Sequence, residues 1–194
     1  MAESARDDQE LLRQLSKGSE PAFAALYERY QGPIYRFALH MSGNNATAEE
    51  ATQEVFMQLI NNPRGYDPSK GTVAGYLFGI ARNVTRRALQ DGRCEMAFEE
   101  EELAGDEFTM AGELDVLAEL TNGELLAALR SAVLGLPQPY REAVVLCDLE
   151  ELSYQQAAEL LGCSPGTVAS RLHRGRSILK KKLSCQKKLS CKNA

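Results

Sequence analysis

The stretch from Leu152 to Leu183, LSYQQAAELLGCSPGTVASRLHRGRSILKKKL, constrains the fold of this chain more than any other. It reads as two helices joined by a tight turn. Ser153 stands three residues before Gln156, the spacing of a capping box. Ala157, Leu160 and Leu161 then share one helical face. Gly162 falls where a helix end favours a left-handed residue. Ser164-Pro165 restarts the chain, with Ser as cap and Pro at the first helical position. In the second helix Val168, Leu172 and Leu179 recur at helical spacing and predict a buried stripe. Thr167, Ser170, Arg171, Arg174 and Arg176 are left outside. Short polar residues followed by arginines suit a helix lying in a major groove, the former reaching base edges and the latter phosphates.

The charge distribution points the same way. From Ser153 to Ala194 nine Lys/Arg stand against one acid, Glu159, a net of +8 in a chain whose total is −5. An ordinary helical hairpin with a solvated basic face has no need of that asymmetry, whereas a polyanion partner does. The 194 residues are 44% apolar, enough for one or two real cores. Period-2 alternation is missing, so the expected fold is all-α, two small helical domains joined by a flexible linker. The polar, acidic start MAESARDDQE and the lack of a long apolar run predict a cytoplasmic protein without membrane insertion. Five cysteines, an odd number, do not read as a disulfide framework. Neither His40 nor His173 has a partner at ligand spacing, so no metal, cofactor or catalytic residue is expected. The tail repeat KKLSC-Q-KKLSC leaves two readings open for Cys185 and Cys191, a thiol or metal sensor and a plain basic tail.

Four segments follow in order. Residues 1–90 form a first helical unit. A helix over Asp7 to Lys17 turns Leu11, Leu12 and Leu15 inward. Pro21 to Met41 carries an aromatic-rich stripe of Phe23, Leu26, Tyr27, Tyr30, Ile34, Phe37 and Met41, read as core because it keeps the helical period. Thr47 with Glu50 has capping-box spacing and opens a helix from Ala48 to Ile60. That helix buries Ala51, Val55 and Leu59 and exposes Glu49, Glu50, Gln53, Glu54 and Gln58. Asn61 to Gly71 is a loop by composition. Thr72 caps a helix over Val73 to Leu89 with Val73, Leu77, Ile80, Ala81 and Val84 buried and Arg82, Asn83, Arg86 and Arg87 exposed. Residues 91–118 read as an acidic linker: Asp91 to Asp115 holds ten acids and one base, Arg93. Such a linker leaves the two units without fixed mutual orientation, although its acids from Glu99 to Glu102 could rest on the basic helix from Arg171 to Lys182. Residues 119–183 form the second unit, in which helices over Val116–Leu134 and Tyr140–Leu149 precede the helix-turn-helix, and residues 184–194 are the basic tail.

The segment from Leu136-Pro137 through Arg141 to Leu149, with Ser153-Tyr154, Ala157-Ala158 and Gly162 to Arg174, resembles region 4 of the extracytoplasmic-function (group 4) sigma factors of bacterial RNA polymerase. Gln53, Glu54 and Phe56 match the Q-E-x-F core of the family's region 2 helix, and YDPSKGTVAGYLFGIARNVTRRAL is similar to its promoter-melting segment. The resemblance covers about residues 8 to 183. It implies a promoter-specificity subunit, not an enzyme, that binds core RNA polymerase at clamp and flap, recognises promoter DNA, answers a stress signal and is held by an anti-sigma factor. The upstream (−35) element would be read by Ser164, Thr167, Ser170, Arg171, His173, Arg174 and Arg176. The downstream (−10) element would be melted and held by Tyr66, Asp67, Ser69, Lys70, Tyr76, Arg82, Asn83, Arg86 and Arg87. Glu50, Gln53, Glu54 and Phe56 would dock on polymerase. Departures are Tyr76 where the family usually has Trp, Val73 where Phe is common, Ala51-Thr52 in place of an apolar pair, and Ala169 where a basic residue is frequent. The alternative is a helix-turn-helix repressor or activator that acts without polymerase; it leaves the first unit's motifs unexplained.

Overall fold

In the computed structural model, backbone is described for residues 2–100 and 122–190, and side chains for 7–90 and 126–183. Eight α-helices and no strand occur among the described residues: α1 (Ala2–Leu15), α2 (Glu20–Ser42), α3 (Asn45–Asn61), α4 (Val73–Glu100), α5 (Asn122–Leu134), α6 (Gln138–Val144), α7 (Tyr154–Leu161) and α8 (Pro165–Ser190). The linker residues 101–121, which include Leu117 and Leu120, and the last four residues lie outside the description. The final turns of α4 fall within the stretch assigned to the linker.

Helices α1 to α4 pack around the aromatic stripe of α2. Leu26, Ile34 and Phe37 are fully buried there with Val55 and Leu59 of α3 and Leu77 of α4. Phe37 meets Phe78 edge-on at 5.5 Å, a favoured ring geometry. Helix α2 runs through Pro33 unbroken. Helix α1 is fixed by a polar contact that periodicity does not reveal. Asp8, 3% exposed, accepts from the Tyr30 hydroxyl at 2.5 Å and pairs with Arg29. The cap of α3 differs from expectation. Asn44, not Thr47, accepts from the Ala46 and Thr47 amides at 2.8 and 3.2 Å, so the helix begins three residues earlier. Asn ranks among the strongest N-cap residues, and its one side-chain oxygen reaches both amides.

The second unit is α5 to α8. Gly135-Leu136-Pro137 separates α5 from α6, because Pro cannot continue the ladder. Beyond Val144, α6 widens into a π turn over Val145–Leu149 in place of the α-helix expected there. The helix-turn-helix is as read. Ser153 and Gln156 form a reciprocal capping box, Gly162 takes φ 64° and Ser164 accepts from the Thr167 amide at 3.1 Å. Val168 and Leu172 are buried. Gly175 permits the close crossing of α8 over α6: a Cβ there would lie 2.7 Å from Val144 Cγ2 and 3.3 Å from the Tyr140 carbonyl.

The two units are not independently oriented. Leu146, Leu152, Ala157 and Val168 belong to the same buried cluster as Leu26, Val73 and Leu77. Arg141 ties the ends of two helices together: it donates to the Met41 carbonyl at 2.8 Å and to the Leu136 carbonyl at 3.0 Å.

Candidate nucleic-acid and docking interfaces

Helix α8 carries the first candidate face. Successive residues of a helix are separated by about 100°, so Thr167, Ser170, Arg171, His173 and Arg174 fan over one side while Val168 and Leu172 hold the other to the core. Ser170, His173 and Arg174 are exposed; Thr167 and Arg171 are half-buried. The Ser164 and Thr167 hydroxyls lie 2.9 Å apart at the helix start, and Ser170 Oγ donates to the Thr167 carbonyl at 3.0 Å. Amides and hydroxyls at a helix N-terminus favour anions. Arg176 departs from this face: it turns toward α6 and makes a two-pronged pair with Asp148, Nε to Oδ2 at 3.0 Å and Nη2 to Oδ1 at 2.5 Å. That carboxylate raises the already high pKa of the guanidinium.

The second candidate face joins the 66–71 loop to α4. Asp67 caps a 3₁₀ turn, Pro68–Lys70, by accepting from the Ser69 hydroxyl at 2.7 Å and its amide at 3.0 Å. Those two bonds, with Lys70 nearby, hold its carboxyl below the usual range. The Tyr66 hydroxyl donates to the Gly71 carbonyl at 2.8 Å and accepts from Gln9 Nε2 at 3.1 Å. Tyr66 and Tyr76 rings stand 5.8 Å apart, and burial pushes the Tyr76 hydroxyl pKa up. The structure thus brings the predicted loop and aromatic residues together, with Ser69 and Lys70 exposed. Along α4, Asn83, Arg86 and Arg87 are exposed as expected. Arg82 is not. Its side chain is 20% exposed and forks onto Glu142 of α6, with both N–O distances 3.1 Å. A helical wheel places Arg82 outside, but only the fold brings α6 against it. Gln9 and Glu142 are the members of this neighbourhood that sequence reading missed; each lies some sixty positions from its partner.

The third candidate face is a groove between α2 and α3, about 970 Å³ in volume. Gln53 lines its polar edge, with Glu50 and Glu54 exposed on the same helix. Tyr27, Met57 and Ile60 expose between 41% and 49% of their surface along it. Phe56 turns inward. It is 4% exposed and forms the floor, 4.6 Å from the Tyr27 ring and 6.1 Å from Phe23. Its role is to hold the groove's shape. Among the described residues no group of three His, Cys, Asp or Glu could hold a metal, and no helix is long and apolar enough to cross a membrane. The side chains of Cys185 and Cys191 lie outside the description.

Known proteins match both units. Residues 26–94 fit the family described as Sigma-70 region 2, and residues 126–179 that described as Sigma-70, region 4. The chain is 31% identical over 177 residues to the ECF RNA polymerase sigma factor SigW of Bacillus subtilis, covering 89% of this chain and 94% of that one. To SigE of Mycolicibacterium smegmatis it is 36% identical over 162 residues, 82% of this chain and 61% of the longer relative. The fold is shared with CnrH, solved with the cytosolic domain of CnrY (TM-score 0.68, 22% identity, covering 92% and 97%). It is also shared with the sigma factor RpoE of Bartonella quintana, solved with the anti-sigma factor NepR (TM-score 0.65, 23% identity, covering 84% and 96%). With both regions present in order and a relative matched along nearly its whole length, this chain belongs to the extracytoplasmic-function sigma factors of RNA polymerase.

Proposed function

We propose that the chain acts as a promoter-specificity subunit that joins core RNA polymerase in the cytoplasm and directs initiation without catalysing chemistry itself. The α2–α3 groove, with Glu50, Gln53 and Glu54 on its rim and Phe56 beneath, takes the polymerase clamp. The 66–71 loop and α4 open the −10 element. Extruding a base costs a few kcal/mol, and the loop's hydroxyls, the Asn83 amide and the Tyr76 ring supply compensating contacts, while Arg82, Arg86 and Arg87 steer the displaced strand. Helix α8 reads the −35 element through Ser164, Thr167, Ser170, Arg171, His173 and Arg174, with Arg176 as a backbone contact once released from Asp148. An anti-sigma factor that seats a helix in the same groove would hold the chain inactive.

One observation carries this reading: a single chain presents two separate sets of exposed polar and basic side chains on two packed units, beside an apolar groove that neither set uses. A repressor needs only the first. The test is transcription in vitro with purified core polymerase and a promoter library, followed by start-site mapping. Specific initiation that depends on the chain is expected. DNA binding that neither needs polymerase nor yields transcripts would replace this reading with the repressor.

A further inference from the structure

We propose that the free chain latches itself shut: carboxylates of region 4 occupy the DNA side of region 2, and promoter engagement requires that contact to open. The proposal rests on the reading of the 66–71 loop and α4 as the melting unit.

Three contacts between the units support it. Arg82, one of the four α4 side chains assigned to melting (with Asn83, Arg86 and Arg87), is forked onto Glu142, which is 4% exposed and also accepts from Gln138 Nε2 at 3.1 Å. A carboxylate presents two oxygens to a guanidinium in the planar arrangement that a phosphate offers, so Glu142 stands where a DNA phosphate would bind and the two cannot be held together. Glu159 is the one acid in the strongly basic C-terminal stretch, and its carboxylate lies over the melting loop: a Cβ on Gly71 would sit 2.9 Å from Glu159 Oε2. A negative charge there repels the strand the loop has to capture. At the far edge Arg36 meets the buried Glu150 side chain at 3.3 Å. The acids of the latch therefore belong to region 4, and the expected contact between linker acids and α8 is not needed.

The chemistry suits reversible closure. A buried ion pair gains little net free energy, because desolvation offsets most of the attraction. Its forked geometry nonetheless fixes one register between the units. Opening hydrates both partners at once, so neither charge is left buried alone. Meanwhile the α8 face stays uncovered, and closure masks one DNA site of two.

The experiment uses the full chain and the double variant Glu142→Gln with Glu159→Gln. A control, Glu20→Gln with Glu28→Gln, removes equal charge away from the contact. Small-angle scattering measures opening, and binding of a fluorescent mixed-sequence single-stranded DNA measures access. If nine-tenths of the wild-type chain is closed, the double variant binds about tenfold more tightly and its radius of gyration grows, while the control changes by less than about twofold. Equal affinities for the two variants, or an unchanged radius, would overturn the latch. Should circular dichroism show that the double variant loses helix, Arg36→Ala opens the contact from its other edge under the same criteria. Transcription with saturating polymerase separates the two failures. A wild-type chain that initiates beside unresponsive variants sinks the latch alone, whereas a wild-type chain that never initiates sinks the function it rests on.

Discussion

The two helices proposed to face DNA, α4 and α8, have similar residue patterns and different surroundings. On α8, which packs against α5, α6 and α7, Ser170, His173 and Arg174 are exposed while Arg176 is paired with Asp148. On α4, Asn83, Arg86 and Arg87 are exposed while Arg82 is committed to Glu142. A basic stripe in sequence therefore predicts a charge, but not its availability. The difference lies in where the acid reaches: Glu142 of α6 takes Arg82 within the polar set of α4, whereas on α8 Asp148 takes Arg176 beyond Ser170, His173 and Arg174. Perturbations of the two helices should then differ in kind.

The largest effect is expected where α8 meets its core. Leu172→Ala removes a side chain that is 1% exposed, and such a truncation costs about 2–5 kcal/mol. Urea unfolding should show it, and binding to the upstream element should fall with the fold. A Leu172→Ala chain of wild-type stability would mean that α8 is not anchored as described.

Arg174→Ala probes the same helix from outside. It should leave unfolding unchanged and weaken binding to upstream-element DNA by roughly 1–3 kcal/mol. Because the face is uncovered in the closed chain, the loss should be the same in the latch-opened double variant. A loss that appears only after opening would erase the contrast between the helices.

Glu150 tests the contact between units by pH. Burial raises its pKa from 4.5 to about 7, against the opposing pull of Arg36 and with a smaller push from Glu151. A carboxyl with a raised folded pKa contributes most stability below 4.5 and loses it as pH rises to about 7. His40, on the same helix as Arg36, is lowered by burial and then by Arg130 and Arg36, so its contribution is lost instead as pH falls. Glu150→Gln isolates the first of these opposed effects. The variant should match wild type near pH 4.5 and exceed it by about 1–2 kcal/mol above pH 7, in thermal unfolding across that range. A constant difference at all pH values would remove Glu150 from the titration.

Much of this was legible in the sequence, for reasons tied to range. Gly162, the Ser153–Gln156 box and the Val168–Leu172 stripe are local features, decided within one or two helical turns, and they stand as read. The burial of Phe56 was not legible because a motif match gives no burial; the Phe23 and Tyr27 rings that cover it come from another helix. Arg82 was misplaced as exposed for the same reason, since Glu142 lies 60 positions away; Arg176 is exposed as read, but its pairing with Asp148, 28 positions away, was not legible. The π turn at Val145–Leu149 has no sequence mark, and the Asn44 cap was missed because Asn44 and Thr47, three positions apart, are both cap-competent and spacing alone does not choose between them.

The smallest effects come from the caps, and they sharpen the comparison most finely. Ser153 accepts from the Gln156 amide at 3.2 Å while Gln156 Oε1 accepts from the Ser153 amide at 2.9 Å. Asn44 accepts from two amides at the start of α3. Replacing either by Ala should cost about 1 kcal/mol, and unfolding alone would not tell them apart. Their positions do. Ser153 fixes the start of α7, whose Glu159 lies over the 66–71 loop, whereas Asn44 caps α3 beside Gly43, whose neighbour in the second unit is Leu134 of α5 and not a residue of α7. Ser153→Ala should therefore loosen the closed contact as well as the helix, raising single-stranded DNA binding slightly while lowering stability. Asn44→Ala should lower stability alone. The two variants are to be compared by urea unfolding and by DNA titration under identical salt. A rise in DNA binding in both, or in neither, would mean that α7 is not the element that couples the helix-turn-helix to the loop.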